Sequence, residues 1–321
     1  MNTLIYIELN EGKLKKAALE AASYGGDIAK KIGGTANAVV LGECTDDLSE
    51  LGAYGIANVY HIKNQSTSSF DARSFSKMIA EVVKSQNTDI LVFSNTIIGK
   101  SLAPQLSVML KAGLVTGAID LPKTENGFTV KKSVFSGKAF SDVKLLTDLK
   151  IISLNPNAYT IIKGEGKANV SAIETAIPEN KVKVTAVQKV TGEVSLSEAD
   201  IVVSGGRGLK GPENWGLVTE LAELLGAATA CSRPVADVHW RPHHEHVGQT
   251  GFAIAPNLYI AIGISGAIQH LAGVNRSKII VVINKDPEAP FFKAADYGIV
   301  GDAFEVVPKM IEAVKKIKQG A

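Results

Sequence analysis

Hydrophobic positions in the first hundred residues alternate between short β-branched runs and longer segments of helical period. Short apolar runs predict strands, and apolar residues that recur every three to four positions predict helices. Strands are predicted at residues 4–9, 38–41, 59–62 and 90–93, and helices at residues 13–32, 75–83 and 102–110. Strands that are apolar throughout and separated by helices are typical of a mostly parallel sheet covered on both faces. This part of the chain therefore predicts a doubly wound α/β domain.

The pattern changes between about residue 114 and residue 181, where strands dominate. Short β-branched runs predict strands joined by turns at residues 128–135, 143–148 and 150–153. We interpret this stretch as a mixed extension that completes the first sheet. The polar segment 179–196 then predicts a connection to a second domain. The expected domains are residues 1–186 and residues 187–321.

The second domain repeats the alternation of strands and helices. A buried strand at residues 199–203 leads directly into the glycine-rich turn Ser204-Gly-Gly-Arg-Gly, and a helix is predicted at residues 215–225. Further strands are predicted at residues 258–262, 279–283 and 297–300. Turns at the carboxyl ends of parallel strands are where open α/β sheets bind ligands. The sequence therefore predicts a second, Rossmann-like sheet flanked by helices, with its binding site at these turns.

Composition and charge narrow the classes of function. The chain has 321 residues, of which 45% are hydrophobic and 21% charged, as expected for two folded domains. A net charge of +2 provides no basic field for nucleic-acid binding. The two cysteines, Cys44 and Cys231, fit no metal spacing and favour a reducing compartment over a disulfide framework.

The N-terminus and the apolar runs indicate where the protein works. Apolar residues begin at the fourth position without a basic leader, which predicts a first strand instead of a signal or transit peptide. No apolar run approaches the roughly 20 residues that a membrane-spanning helix needs. We therefore expect a soluble, cytoplasmic protein.

The first glycine-rich turn is a candidate phosphate site. Glycine lets backbone N–H groups approach phosphate oxygens, and Arg207 in this turn could pair with a pyrophosphate through two parallel hydrogen bonds. The turn matches neither G-x-G-x-x-G nor the P-loop pattern. A glycine-rich turn without a ligand is therefore an equally good interpretation of this motif alone.

Two further polar turns contain glycine, Val247-Gly-Gln-Thr-Gly and Ile264-Ser-Gly-Ala-Ile-Gln-His. We expect Ser265 and Gly266 to begin a helix, which would place backbone donors at its start. His270 would then lie one turn further on and face the same ligand. A lone histidine is more often a structural residue, but its place after a glycine turn favours ligand contact.

Two more polar positions follow the last strands. Asn284-Lys-Asp-Pro ends one strand, and Asp302 follows another after a glycine. Amides and carboxylates at such positions suit hydrogen bonds to ribose or adenine, although each could equally cap a helix. Five polar turns at successive strand ends together favour a dinucleotide.

The segment His239-Trp-Arg-Pro-His-His-Glu-His is rich in histidine and raises the alternative of a metal site. A helix is not expected directly after Pro242, and no second group of ligands has a recognised metal spacing. We therefore predict no metal site and interpret the segment as a surface loop beside the ligand.

Residues 202–307 resemble the C-terminal domain of the electron-transfer flavoprotein α subunit. The motifs that carry the resemblance occur in the family's order: Ser204-Gly-Gly-Arg-Gly, Cys231-Ser-Arg-Pro-Val-Ala-Asp, Val247-Gly-Gln-Thr-Gly, Leu258-Tyr-Ile-Ala-Ile-Gly-Ile-Ser-Gly-Ala-Ile-Gln-His, Ile283-Asn-Lys-Asp-Pro-Glu-Ala-Pro and Ala295-Asp-Tyr-Gly-Ile-Val-Gly-Asp. The N-terminal region resembles the family in length and pattern, with the weaker motif Phe135-Ser-Gly-Lys-Ala.

The resemblance implies an electron carrier without catalytic residues of its own. It implies one FAD in this chain, a β-subunit partner contacted by the N-terminal domain, and AMP or a second FAD in that partner. Dehydrogenases such as the acyl-CoA dehydrogenases of fatty acid β-oxidation would supply electrons to a membrane quinone oxidoreductase or another acceptor. Whether the flavoprotein is of the bifurcating type stays open, because the partner subunit would build the second flavin site.

The resemblance also implies a set of residues that contact FAD. These are Arg207, Ser232, Arg233, Val247, Gly248, Gln249, Thr250, Ser265, Gly266, Ala267, Ile268, Gln269, His270, Asn284, Asp302 and Ala303. Arg207, Ser232 and Ser265 would lie at or near the pyrophosphate. Asn284 and Asp302 would hold the adenosine half.

The remaining implied roles concern the isoalloxazine ring. Gln249 and Thr250 would lie along the ring, with the Thr250 hydroxyl near N5. His270 would reach the pyrimidine end, and Arg233 would lie close to the flavin. A cationic or hydrogen-bonding His270 would stabilise negative charge that develops there on reduction.

Two other classes of function compete with the electron carrier. An NAD-dependent oxidoreductase could use the same α/β layout, but the chain lacks the G-x-G-x-x-G turn and an obvious proton-relay pair. A non-catalytic nucleotide-binding or regulatory subunit is the second alternative.

Overall fold

The computed structural model describes residues 1–64, 67–176, 182, 184–186, 195–196 and 198–319. The chain divides into two compact units: the first contains Met1–Val134 and Ala139–Gln188, and the second contains Phe135–Lys138 and Lys189–Ala321. Most of the predicted connection at residues 179–196, including residue 187 at the expected boundary, lies outside the described residues. The exact domain boundary therefore stays a prediction.

The first unit is built on a nine-stranded, mostly parallel sheet. Its strands and the short β2–β3 hairpin are β1 (Asn2–Ile7), β2 (Leu9–Asn10), β3 (Lys13–Leu14), β4 (Thr35–Leu41), β5 (Asn58–Ile62), β6 (Ile90–Ser94), β7 (Gly113–Ala118), β8 (Thr129–Val134), β9 (Ala139–Lys144), β10 (Lys150–Leu154) and β11 (Asn169–Ala172). The sheet order is β11-β5-β4-β1-β6-β10-β7-β8-β9. The pairs β7–β8 and β8–β9 are antiparallel, and the other neighbouring pairs in this order are parallel.

Helices cover both faces of this sheet, as the apolar strands predicted. They are α1 (Lys16–Lys31), α2 (Ala72–Ser85) and α3 (Ile97–Leu110). Side chains alternate along β1, so that Ile5 and Ile7 pack in the core on the α1 side. Leu4 and Tyr6 pack in the core on the side of α2 and α3. Because both faces are buried, the strand needs an apolar residue at nearly every position.

One strand predicted in the mixed extension is displaced. The sequence predicted a strand at residues 143–148, whereas β9 ends at Lys144 and a turn follows. The side chains of β9 alternate between exposed and half-buried positions, so the strand lacks the apolar run that marks a buried strand. The apolar pair Leu145 and Leu146 instead lies beyond the end of the strand.

The second unit has a five-stranded sheet in which every pair of neighbouring strands is parallel. Its elements are β12 (Ile201–Gly205), α4 (Gly216–Leu225), β13 (Ala228–Cys231), α5 (Arg233–Asp237), β14 (Leu258–Ile262), α6 (Ile268–Val274), β15 (Ile279–Asn284), β16 (Tyr297–Val300) and α7 (Ala303–Gln319). Helices α4 and α7 pack on one face of this sheet. The fold is therefore α/β in both units, and this prediction is confirmed.

The order of the second sheet, β13-β12-β14-β15-β16, reverses at one point. From β12 the chain passes outward to β13 and then returns to add β14 on the other side of β12. The connections that leave β12 and β14 therefore diverge, and a crevice opens between them at the carboxyl ends of the strands. This topology predicts the position of a ligand site before any side chain is considered.

The first sheet also reverses its order, between β1 and β6. There the buried carboxylate of Glu8 lies just after β1 and is already partnered. It forms an ion pair with Lys15 at 2.7 Å and accepts a hydrogen bond from Thr96 at 2.5 Å. The chain thus places paired polar groups of its own at this reversal. Across the described part of both units, no helix has both the length and the apolar character to cross a membrane.

Candidate functional site

A cavity of about 470 Å³ opens at the carboxyl ends of β12 and β14 in the second unit. This volume lies within the roughly 300–1,000 Å³ that is typical of ligand sites. Residues that follow four of the five strands line it, together with the turn at residues 246–250. The polar turns that are separate in sequence therefore meet around one space.

Twelve of the sixteen residues that the sequence singled out line this cavity. They are Arg207, Ser232, Arg233, Val247, Gly248, Gln249, Thr250, Ser265, Ala267, Gln269, His270 and Asn284. The other four are Gly266, Ile268, Asp302 and Ala303, which are not among the lining residues.

The helix expected to begin at Ser265 and Gly266 starts later, at Ile268, so this detail of the prediction is wrong. Gly266 has a φ of +80°, which is a left-handed conformation that cannot belong to a right-handed helix. A Cβ on Gly266 would lie 2.4 Å from Cβ of Phe291. The glycine is therefore required by a tight approach to Phe291.

Asp302 and Ala303 follow β16 at the other end of the sheet order from β13. The Asp302 carboxylate accepts a hydrogen bond from the Phe304 backbone N–H at 3.0 Å and so caps the start of α7. It also lies 4.0 Å from Nζ of Lys210. The helix-cap interpretation of this aspartate is therefore realised in the structure.

The cavity also contains residues that the sequence did not single out as contacts. These are Gly208, Pro234, His246, Gly263, Ile264 and Asp286. Each of the six lies within two positions of a predicted residue in the sequence. His246 belongs to the histidine-rich segment, which the sequence placed beside the ligand without assigning a role to any histidine.

Glycines hold the turns after β12 and β14 together. The Gly208 backbone N–H donates to the Gly263 carbonyl at 3.0 Å. A Cβ on Gly208 would lie 2.6 Å from Cα of Gly263, and Gly263 has a φ of +63°. Side chains at these two positions would push the turns apart. The two glycines therefore allow the ends of β12 and β14 to approach each other.

The polar groups of the cavity are of two kinds. Arg207 and Arg233 are exposed at its edge, where guanidinium groups can bind phosphate oxygens in pairs. Asn284 is half-buried and uses its amide within the protein: Nδ2 donates to the Ile264 carbonyl at 2.9 Å, and Oδ1 accepts from the Asp286 backbone N–H at 3.1 Å.

His270 is a buried ionisable group of the cavity wall, with 7% of its surface exposed. Burial, with a smaller contribution from neighbouring His246, lowers the pKa of His270 to about 4. Its Nε2 lies 2.8 Å from the hydroxyl oxygen of Tyr259. Its Nδ1 makes no hydrogen bond of standard geometry among the described residues. At neutral pH the ring is therefore uncharged, which favours the hydrogen-bonding alternative for His270 over the cationic one.

Comparison with known proteins identifies the family. A family model described as "Electron transfer flavoprotein domain" matches residues 3–178, which is more than half of the chain. A second model, described as "Electron transfer flavoprotein FAD-binding domain", matches residues 195–275. The electron transfer flavoprotein subunit alpha of Bacillus subtilis is 38% identical over 97% of this chain and 96% of its own length. The chain belongs to the electron transfer flavoprotein alpha-subunit family.

Other members of this family are similar over the same extent. The electron transfer flavoprotein subunit alpha of Thermoanaerobacterium thermosaccharolyticum is 37% identical over 98% of both chains. The subunit of the same name from Syntrophomonas wolfei is 35% identical over 98% of this chain and 99% of its own length. The likeness therefore extends through both units, and it includes the FAD-binding domain of the family.

The cavity has the chemistry that a flavin dinucleotide needs. Exposed arginines suit the diphosphate, and the glycine turns bring backbone within reach of a ligand. The imidazole of His270 lies in the cavity wall, where a bound ring would contact it. The described residues contain no cluster of three or more histidine, cysteine or carboxylate side chains that could hold a metal ion.

Proposed function

We propose that this chain binds one FAD in the cavity at β12 and β14 and carries electrons as the alpha subunit of an electron transfer flavoprotein. The single observation that supports this most strongly is the convergence of twelve expected contact residues around one space at the reversal of the strand order. When bound, FAD supplies one-electron redox chemistry, and the chain supplies binding, orientation and electrostatics.

The residues of the cavity divide into two groups in this proposal. Arg207, Ser232 and Ser265 hold the diphosphate, which places the adenosine half toward Asn284. The proposed contact of Asp302 with adenosine requires a group that already caps α7, so Asp302 is the weakest member of the set.

The second group surrounds the isoalloxazine ring. Gln249 and Thr250 are exposed in the turn that lines the cavity, and both can lie along the ring. His270 faces its pyrimidine end, and Arg233 adds positive charge nearby. These groups favour the reduced flavin because they place donors and charge where negative charge develops.

We further propose that the chain acts with a beta subunit that holds AMP or a second FAD, and that the N-terminal domain contributes to the contact. The relatives are named as subunits, which supports a partner. Electrons would come from dehydrogenases such as acyl-CoA dehydrogenases and pass to a membrane quinone oxidoreductase or another acceptor. The chain would then be a carrier and not an enzyme in its own right.

Co-expression with the beta subunit tests this function. Purified heterodimer should contain one FAD in this chain, found by absorption and by nucleotide analysis, and should mediate reduction of a dye by an acyl-CoA dehydrogenase. A heterodimer without flavin that binds NAD would overturn the proposal in favour of the oxidoreductase. Flavin or nucleotide binding without electron transfer to any dye would favour the regulatory subunit.

A pair of arginine variants locates the flavin in the cavity. Loss of one charge-assisted hydrogen bond, about 1.5–3 kcal/mol, predicts that Arg207→Ala weakens FAD binding about tenfold to a hundredfold. Arg73→Ala is the matched control, because Arg73 is exposed on α2 in the first unit. Equal dissociation constants for the two variants, measured by fluorescence titration of the flavin-free heterodimer, would place the flavin elsewhere.

A further inference from the structure

Tyr259 lies behind His270 in the core of the second unit. It occupies the second position of β14, its side chain is fully buried, and it is not among the residues that line the cavity. Its hydroxyl oxygen is 2.8 Å from Nε2 of His270. The rings of Tyr259, His270 and Phe291 pack together, with centroids 5.7–6.3 Å apart. The imidazole is therefore held on its inner side by a tyrosine that cannot itself reach the cavity.

The direction of this hydrogen bond follows from the two charge states. Burial raises the pKa of the Tyr259 hydroxyl, so the phenol keeps its proton. Burial lowers the pKa of His270 to about 4, so the imidazole is neutral at pH 7 and has one nitrogen with a free lone pair. A phenol is a good donor and such a nitrogen a good acceptor. The Tyr259 O–H can therefore donate to Nε2, in which case the ring proton resides on Nδ1.

The backbone of the cavity turn favours the same arrangement. The Val247 backbone acts as an acceptor toward the His270 ring and opposes part of the fall in its pKa, although Nδ1 makes no hydrogen bond of standard geometry with it. A proton on Nδ1 suits an acceptor on that side of the ring, whereas a lone pair there would be repelled. The tyrosine on one side and the turn on the other select one tautomer.

We infer that Tyr259 is a positioning residue for His270, whose hydroxyl fixes the imidazole as the neutral tautomer with its proton on Nδ1. The inference rests on the proposed function, because it gives His270 its role toward a bound flavin. It assigns a function to a residue outside the cavity. The ring beside the ligand is then a neutral imidazole of fixed orientation instead of an imidazolium.

The position of the imidazole also bears on the turn that carries Gln249 and Thr250. The Gln249 backbone N–H donates to the carbonyl of Gln269, the residue before His270, at 2.7 Å. A Cβ on Gly273 of α6 would lie 2.5 Å from the backbone nitrogen of Gly248. Helix α6 and this turn are thus packed backbone to backbone beside His270.

Tyr259→Phe tests the inference, because it keeps the ring and removes the hydroxyl. Tyr6→Phe is the matched control, since Tyr6 is a buried tyrosine on β1 in the first unit. The heterodimer is labelled with ¹⁵N-histidine, and the His270 signals are assigned with a His270→Asn variant. In flavin-free protein we expect the Nδ1-protonated signature for wild type and Tyr6→Phe, and a mixture of tautomers for Tyr259→Phe.

Flavin affinity provides the second measurement. Loss of a net hydrogen bond predicts about a threefold to tenfold weaker affinity for FAD in Tyr259→Phe, with no change in Tyr6→Phe. An unchanged His270 tautomer in a folded Tyr259→Phe variant would overturn the inference even if FAD binds normally. Failure of the wild-type heterodimer to bind FAD would overturn the proposed function instead, while the tautomer measurement would still decide the role of Tyr259.

Discussion

At the scale of single residues, His270 combines a place in the cavity wall with nearly complete burial. A surface histidine with an ordinary pKa would be partly protonated near neutral pH, whereas this one is held neutral by desolvation. Under the proposed function, its contribution to a bound flavin would be that of a neutral, oriented hydrogen-bonding group. This favours one of the two roles that the sequence left open.

Under the proposed function, removal of the His270 imidazole should lower the first one-electron reduction potential of the bound flavin. A hydrogen bond to a developing charge contributes about 1.5–3 kcal/mol, which corresponds to roughly 65–130 mV. We expect a decrease of this size in His270→Ala, measured by a spectroscopic redox titration. His244→Ala is the control, because His244 is exposed and does not line the cavity. A potential unchanged from wild type in His270→Ala would argue against this role.

The low pKa of His270 also makes stability depend on pH. The unfolded histidine titrates near pH 6.5 and the folded one near 4, so between these values the unfolded state binds more protons. The free energy of unfolding should therefore fall as the pH drops through this window, by up to roughly 3 kcal/mol from this residue. Denaturant titrations of flavin-free heterodimer across the window should show a smaller fall for His270→Asn. Parallel curves for the two proteins would contradict the expectation.

At the scale of elements, the turn between β14 and α6 determines where His270 lies. Gly263 and Gly266 both have left-handed backbone, and the helix begins only at Ile268. The turn therefore reverses sharply before the helix, which places the side chain of His270 against the cavity. Helical periodicity alone places the start of the helix too early, because it carries no information about the sign of φ.

Gly266→Ala tests the need for this turn. Left-handed backbone costs an L residue about 1–2 kcal/mol, and the new Cβ would also meet backbone and side-chain atoms of Phe291 at 2.4–2.7 Å. Gly226→Ala is the matched control, because Gly226 has a φ of +63° with open space around its Cβ position. We expect Gly266→Ala to reduce the free energy of unfolding by more than Gly226→Ala and to weaken FAD binding. Equal decreases in the free energy of unfolding of the two variants would show that Phe291 shifts to accommodate the new Cβ without destabilising the protein.

At the scale of the whole molecule, two α/β units of similar architecture differ at the point where the strand order of each sheet reverses. Each sheet has a reversal in strand order where a ligand could bind. In the first unit the Glu8 carboxylate, with Lys15 and Thr96, occupies that position. In the second, glycine turns line a cavity of about 470 Å³. Fold alone therefore does not determine which unit binds the cofactor.

Hydrogen exchange should show which of the two units binds FAD. A ligand that binds only the native state stabilises it by RT ln(1 + [L]/Kd), about 2.7 kcal/mol at a hundredfold excess over Kd. On addition of FAD to flavin-free heterodimer, we expect slower exchange at residues 205–209, 246–250 and 263–270. Amides of β1, β4 and β6 in the first unit serve as the internal control and should not change. Protection confined to the first unit would contradict the assignment.

Local patterning predicted most of the fold. Because β1, β6, β10, β12 and β14 are buried on both faces, their positions follow from apolar runs alone. The strand β13 was not predicted, since its sequence Ala-Thr-Ala-Cys has little of the bulk that marks a strand. It forms because β12 offers it a parallel edge.

The sequence by itself determined the α/β class and the polar turns at strand ends, because both depend on neighbours along the chain. Only the tertiary structure decided which turns meet. The strand order brings the ends of β12 and β14 together and leaves Asp302, at the end of β16, to cap a helix instead of lining the cavity. The tertiary structure likewise decided the charge of His270, because residues distant in sequence exclude water from its ring. The same packing places the Tyr259 hydroxyl against His270.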